Sequence, residues 1–366
     1  MPVRVDLIAA ARPNFMKVAP LFHVLSQQDW CTVRLVHTGQ HYDANMSDSF
    51  FRDFSLPTPD IHLEIGSGSH AEQTGRVMIA YEQVLQEQPA DWTIVVGDVN
   101  STFACAMAAV KLGIRVAHLE AGLRSRDRTM PEEINRLATD AIVDLLWTPS
   151  SDADDNLLAE GVARDKIDFV GNIMLDSFEL VRERIAGAGT QDKLGLSLSR
   201  YGIVTLHRPS NVDDPSTLRS LVEQLVDVSE RLPLVFAVHP RTRARLEAAG
   251  LLETLEHTPG VHLIEPQGYI DFMNLVTGAS LAITDSGGIQ EETTYLGIPC
   301  LTLRRNTERP ITLTEGTNRL LSPTELSAAV DAVLAEGLNA DRPRPQLWDG
   351  QAAGRIADSL RKHALA

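Results

Sequence analysis

Short apolar runs and longer amphipathic stretches alternate along almost the whole chain. In the first half Val3–Ala10, Thr32–His37, Thr93–Val96, Arg115–Leu119, Leu145–Trp147 and Ile167–Val170 read as strands, with a further short one at Ile61–Ile65. Helical spacing follows over Phe15–Ser26, where Leu21, Val24 and Leu25 form a core stripe and Pro20 predicts a kink. Further helices are expected over Met46–Phe54, His70–Gln86, from Asn100 or Ser101 to Leu112, from Pro131 onward and over Ser151–Glu160. A second series of strands comprises Tyr201–Leu206, Leu234–Val238, Val261–Ile264, Leu281–Thr284 and Pro299–Leu303. Its helices are expected over Pro215–Glu230, through Phe272, Leu275 and Val276, and over Ile289–Leu296, Thr324–Glu336 and Ala352–Ala364. Strands that alternate with helices build parallel sheets. The fold expected is therefore α/β, with two Rossmann-like domains facing a cleft. Gly171-Asn172 is the best linker, giving domains 1–171 and 172–352.

Open α/β sheets bind their ligands beyond the C-terminal ends of the strands. The strand Leu281–Thr284 runs through Asp285-Ser286-Gly287-Gly288 into a helix. Such a turn aims backbone N–H groups and the positive end of a helix dipole at one point, which suits a phosphate. Glycines let the backbone approach closely, Ser286 adds a hydroxyl, and Glu291 and Glu292 lie near enough to reach sugar hydroxyls. The plainer reading is a serine cap with acidic residues near the helix start. His207 and His239, each directly after a strand, favour the phosphate. In the first half Arg12 and Lys17 cluster after the opening strand, and Asp98 and Glu120 lie at the tips of successive strands. Asp98 is a reasonable turn former, but Glu120 has poor turn propensity. Glu132 follows Pro131 at a helix start and makes a capping box with Thr129.

Composition narrows the chemistry. The 366 residues are enough for two cores, and a net charge of -16 argues against nucleic acid and anionic membrane as partners. No apolar run approaches the roughly 18 residues of a membrane span, and Met1–Asp6 carries no signal-peptide core, so a cytoplasmic protein is expected. Cys31, Cys105 and Cys300 are widely separated, and neither they nor His37, His41, His62 and His70 have metal-ligand spacing. The opening strand ends in Ala-Ala-Ala-Arg-Pro-Asn in place of G-x-G-x-x-G, which counts against a dinucleotide. No cofactor is expected. Carboxylates in one half and an anion turn in the other fit a ligand with a polyhydroxyl end and a phosphate end, such as a nucleotide sugar.

Several runs carry a resemblance. They are Arg12-Pro13 to Lys17, Thr38-Gly39-Gln40-His41, Gly97-Asp98, HLEAGLR (118–124), PEEINR (131–136), His207-Arg208, TDSGGIQEE (284–292) and TERP (307–310). Together, in this order and over nearly the whole chain, they resemble the non-hydrolysing UDP-N-acetylglucosamine 2-epimerases. The resemblance implies a glycosyltransferase-B-like fold, no metal or dinucleotide, a homodimer, and a closing segment, 353–366, packed back on the first domain. It implies that the proton on sugar carbon 2 leaves together with UDP from carbon 1, and that UDP re-adds after protonation on the opposite face. Asp98, Glu120 and Glu132 would then do acid–base and sugar-orienting work, with Lys17 as an active-site cation. Arg12, His207, Ser286, Gly287, Gly288 and Arg309 would hold the diphosphate, Glu292 the ribose and Phe272 the uracil, with Gln40 among the substrate contacts. Two runs depart from the regulated bacterial members: Gln40-His41 continues Tyr-Asp-Ala-Asn-Met, and His207-Arg208 continues Pro-Ser-Asn. An activator site for a second UDP-sugar is therefore not expected. The first of these runs also resembles epimerases of UDP-2,3-diacetamido-glucuronate, while the intact TERP favours the simpler sugar. A hydrolysing epimerase, a glycosyltransferase of the same fold and a non-catalytic UDP-sugar binder are the remaining alternatives.

Overall fold

The computed structural model describes residues 2–10, 12–39, 51–198, 200–337 and 344–365, the side chains of residues 12 and 13 excepted. The chain divides into two compact units, Met1–Val181 with Gln346–Ala366, and Arg182–Pro345. In the first, the apolar runs form β1 (Val3–Ala9), β2 (Cys31–His37), β3 (Ile61–His62), β4 (Trp92–Val96), β5 (Arg115–Leu119), β6 (Leu145–Thr148) and β7 (Ile167–Phe169). They make one parallel sheet in the order β3-β2-β1-β4-β5-β6-β7. Every residue of β4 is buried, as a strand covered by helices on both faces requires. Ile8, Val36, Val95, Val116 and Leu146 pack there with Val77 and Tyr81 from the helix His70–Glu87. The strand order reverses between β1 and β4, so Ala10 and Gly97 flank the switch point where such sheets bind ligands.

The second unit repeats this plan. Its strands are β8 (Gly202–Thr205), β9 (Leu234–Ala237), β10 (Val261–Ile264), β11 (Leu281–Thr284), β12 (Cys300–Thr302) and β13 (Asn318–Leu320). All are parallel, in the order β10-β9-β8-β11-β12-β13. The core joins Val204, Phe236, Ile283 and Leu301 to Leu221, Leu225 and Val330 from the flanking helices. The reversal here lies between β8 and β11, which places His207 and Ser286 beside one crevice.

The expected linker at Gly171-Asn172 is corrected. Gly171 adopts φ +87 and a Cβ there would meet the Leu347 carbonyl, so it is a packing point and not a hinge. The helix Ile173–Leu180 stays with the first unit. Its Ser177 hydroxyl donates to the Met16 carbonyl, and its Asp176 carboxylate accepts the Ala352 and Ala353 N–H groups at 3.1 and 2.7 Å. Those two N–H groups open the closing helix, Ala352–Leu365, which also meets β6 through Trp147 Nε1 and Ser359 Oγ at 2.8 Å. β3 is shorter than expected because Glu64 turns to φ +56. The first helix begins at Arg12, and Pro20 lies inside it without ending it. Gln40, His41 and residues 46–50 lie outside the described residues. No helix among the described residues is long and apolar enough to cross a membrane.

Candidate active site

In the first unit the side chains gather around Gly97, just past β4. Its φ of +67 favours glycine, and a Cβ there would sit 3.4 Å from Lys17 Nζ, 3.5 Å from Asn14 Nδ2 and 3.7 Å from Glu120 Oε2. Lys17 and Glu120 form a buried ion pair, and Asn14 Nδ2 donates to the Val96 carbonyl at 2.7 Å. Glu120 has φ +68, a left-handed conformation that costs a side-chain-bearing residue of order 1–3 kcal/mol. Asp98 lies one residue past Gly97. Arg136 NH2 reaches its Oδ2 at 2.5 Å, and Asn135 Nδ2 donates to its carbonyl at 2.9 Å. The predicted Lys17, Asp98 and Glu120 thus meet at adjoining strand tips, each carboxylate beside a cation.

The capping box expected of Thr129 and Glu132 does not form. Met130 is the cap residue and makes no side-chain cap bond, while Thr129 donates to Asp127 at 2.6 Å. The next residue, Glu133, turns back instead. It accepts the Ser125 and Arg126 N–H groups at 2.9 and 2.8 Å and Arg136 NH1 at 2.7 Å. Glu132 is left half-buried on the first helical turn. The caps expected from Asn100 or Ser101 are also absent. Asn100 Nδ2 donates to Gln73 at 2.7 Å, and Ser101 bonds Thr38 at 3.0 Å. The side chain of Arg12, like Gln40, is outside what is described.

In the second unit the turn after β11 is held by a carboxylate that sequence reading treated only as a turn former. Asp285 is fully buried and accepts the His207 N–H at 3.1 Å, the Arg208 N–H at 2.9 Å and Asn211 Nδ2 at 2.9 Å. His207 Nδ1 lies 3.0 Å from its Oδ1. Burial acts to raise the pKa of Asp285, but His207, the Arg208 N–H and Asn211 together hold it below the ordinary carboxylate value. The paired imidazole is thereby fixed, and its Nε2 is the nitrogen left to face a ligand. The ring of His239 lies 5.6 Å from that of His207, and its own nitrogen accepts the Arg241 N–H at 3.2 Å as a helix cap.

Ser286 is the residue before the helix Gly287–Leu296, yet its hydroxyl makes no cap bond, so the plain capping role is not the one it plays. The opening N–H groups of such a helix have no intrahelical partner. Gly287 is required for space, since a Cβ would come within 2.9 Å of Glu308 Oε1 and 3.7 Å of Arg309 NH1. Arg309 is therefore at the turn, but part of its charge is committed, with Nε 2.8 Å from Glu291 and NH1 3.2 Å from Glu308. Arg304 adds a second cation 2.8 Å from Glu308. Burial alone would push Glu308 up, yet Arg309 and Arg304 hold it far below the usual range. Glu291 and Glu292 are deeper than expected, at 1% and 2% exposure. Burial pushes Glu292 up to about 8, with the anionic Glu291 adding to the rise and the Tyr269 hydroxyl opposing it. Phe272 is half-buried on the helix Tyr269–Thr277, which Tyr269 opens.

Asp285, Arg136, Glu308 and Asn14 are the site residues sequence reading missed. All four lie within runs that carry the resemblance, and Arg136 has a local signal as well, four residues past Glu132 on one helix face. Among the described residues no group of three or more His, Cys, Asp or Glu side chains is placed to hold a metal ion.

Two parallel α/β units, one with paired carboxylates and cations at its strand tips and one with a glycine turn opening a helix, define a glycosyltransferase-B-like protein. A lipopolysaccharide outer core galactosyltransferase, 12% identical with a TM-score of 0.53, shares that fold and nothing closer. Over residues 23–361 the chain matches the family model described as UDP-N-acetylglucosamine 2-epimerase, and it belongs to that family. A UDP-N-acetylglucosamine 2-epimerase of Methanocaldococcus jannaschii is 40% identical, covering 98% of this chain and 99% of the relative. The crystal structure of the M. jannaschii UDP-GlcNAc 2-epimerase in complex with UDP-GlcNAc and UDP superposes with a TM-score of 0.87 at 39% identity, over 98% of this chain and 100% of the other. A UDP-2,3-diacetamido-2,3-dideoxy-D-glucuronate 2-epimerase of Pseudomonas aeruginosa is 39% identical, covering 98% and 100%.

Proposed function

We propose that the chain interconverts UDP-N-acetylglucosamine and UDP-N-acetylmannosamine without hydrolysis, by elimination and re-addition of UDP. The hydrogen on carbon 2 has no neighbouring carbonyl to acidify it. Its loss as a proton becomes feasible when it accompanies breaking of the carbon 1–oxygen bond, leaving 2-acetamidoglucal and UDP. Return of a proton to carbon 2 from the opposite face, with UDP re-adding at carbon 1, gives the epimer. The observation that carries this reading is the strained Glu120 beside Lys17, with Asp98 held by Arg136 next to it. A binding protein or a glycosyltransferase has no need of two such carboxylates at adjoining strand tips.

In this reading Asp98, Glu120 and Glu132 exchange protons and orient the sugar, and Lys17 is the cation paired with Glu120. His207, held by Asp285, and the N–H groups of Ser286, Gly287 and Gly288 stabilise the departing diphosphate, with Arg12 and Arg309 adding charge. Glu292 receives the ribose and Phe272 the uracil, with Gln40 at the substrate. The reaction uses no metal and no cofactor, and the working form is a cytoplasmic homodimer supplying a surface-polysaccharide precursor.

The test is incubation with UDP-N-acetylglucosamine in heavy water, followed by proton NMR. Epimer with deuterium at carbon 2 supports the proposal, free N-acetylmannosamine with UDP would mean hydrolysis, and an unchanged sugar would overturn it. The similarity to the P. aeruginosa relative favours one second reading, epimerisation of UDP-2,3-diacetamido-2,3-dideoxy-glucuronate. The same tube with that sugar decides between them by the ratio of kcat/KM.

A further inference from the structure

A buried ion network lies behind the first unit's strand tips. His118 is 0% exposed, and each ring nitrogen faces an acceptor: Nδ1 lies 2.6 Å from Asp140 Oδ1 and Nε2 lies 2.8 Å from the Gly97 carbonyl. A carbonyl oxygen carries no hydrogen, so Nε2 must donate. The second oxygen of Asp140 takes the Gly122 N–H at 3.0 Å and Arg124 NH2 at 2.7 Å. Burial works against an Asp140 anion, but His118 and Arg124 outweigh it and hold its pKa down, so Nδ1 donates as well. A ring that donates at both nitrogens is an imidazolium.

The placement of these contacts matters more than their number. His118 and Gly122 lie two residues before and two residues after Glu120, and one carboxylate holds both. Between them the backbone arches through the left-handed Glu120. The other end of the imidazolium fixes the carbonyl of Gly97, immediately before Asp98. We infer that Asp140 and His118 are positioning residues that clamp the Glu120 arch and set it against Asp98, with His118 held as a buried cation. The effect on turnover rests on the proposed epimerase reading, but the geometry and charge of the clamp do not.

The first experiment needs no variant. Nitrogen-15 NMR of the histidine side chains in the intact protein is expected to show both His118 nitrogens protonated at neutral pH. A neutral His118 would overturn the inference. The second experiment uses Asp140→Asn, which keeps the shape but has one acceptor oxygen, so an amide N–H faces either the Gly122 and Arg124 donors or a His118 ring that has given up its Nδ1 proton and with it the charge of the clamp. Carbon-2 exchange is expected to fall about 10²-fold in kcat, with KM for the UDP-sugar within about twofold, as for a misplaced reacting group. Asp140→Glu keeps two acceptor oxygens and should recover part of that loss. His118→Gln, which retains an amide donor toward Gly97 without the charge, serves if the first variant does not fold. Wild-type kcat in folded Asp140→Asn, or a loss confined to KM, would overturn the positioning role. If the wild-type protein itself exchanges no carbon-2 hydrogen, the epimerase reading falls, and the NMR result still decides the clamp.

Discussion

Glu292 makes stability depend on pH in a direction opposite to that of most carboxylates. It is 2% exposed inside the second unit, and burial carries its pKa from 4.5 to about 8. Between those values the folded chain holds a proton that the unfolded chain has lost. Stability therefore falls as pH rises through this window: the contribution is fully present below 4.5 and is gone above about 8. Over three and a half pH units, at about 1.4 kcal/mol each, the loss is roughly 5 kcal/mol. Glu292→Gln cannot ionise and keeps the neutral shape, so its stability lacks this slope. The assay is denaturant unfolding of both proteins from pH 5 to pH 9. Subtraction cancels the other titrating groups, including Asp176, which burial raises to about 6. The glutamine variant should gain on the wild type steadily as pH rises, by several kcal/mol overall. Parallel curves across the range would refute the reasoning, because they would mean that Glu292 is already ionised in the folded state.

Four further outcomes follow from the geometry. Glu120→Gln removes the charge paired with Lys17, and carbon-2 exchange should fall by roughly 10²–10⁴ while UDP affinity by calorimetry stays near wild type. Asp285→Asn releases His207 and the Arg208 turn, so turnover and UDP affinity should both fall, and unchanged calorimetry would remove His207 from the diphosphate site. Asp176→Ala uncovers the first two N–H groups of the closing helix and should cost about 1–2 kcal/mol in urea unfolding. Activity should survive prolonged chelation, and its loss with recovery on adding one divalent metal would contradict the metal-free mechanism.

The strands were the most legible part of the chain. The apolar runs Arg115–Leu119, Val261–Ile264 and Leu281–Thr284 coincide with β5, β10 and β11 end to end, because a short apolar run bounded by turn residues is a local signal. Residues at strand tips were legible as candidates for the same reason, and Lys17, Asp98 and Glu120 do come together around Gly97. Partnerships were not legible. Asp285 sits in a run that reads as an ordinary turn, and its partner His207 lies 78 residues earlier. Glu132 and Glu133 are indistinguishable as helix starters, and only the folded 125–126 loop chooses Glu133. Gly171-Asn172 looks like a linker because glycine marks both hinges and tight packing, and the Leu347 carbonyl that makes it the second is far along the chain.

The discontinuity of the first unit has a consequence for how the protein is made. Its last piece, Gln346–Ala366, is translated only after the entire second unit. Until then β6 lacks the Ser359 partner of Trp147, Asp176 lacks its two N–H donors, and the surface that takes Ile356 and Leu360 is bare. A nascent chain therefore carries an exposed apolar seam throughout synthesis of the inserted unit, the kind of surface that recruits chaperones and invites aggregation. A chain that stops before residue 346 would present that seam permanently, so loss of residues 346–366 should register first as degradation of the unit that was translated earliest.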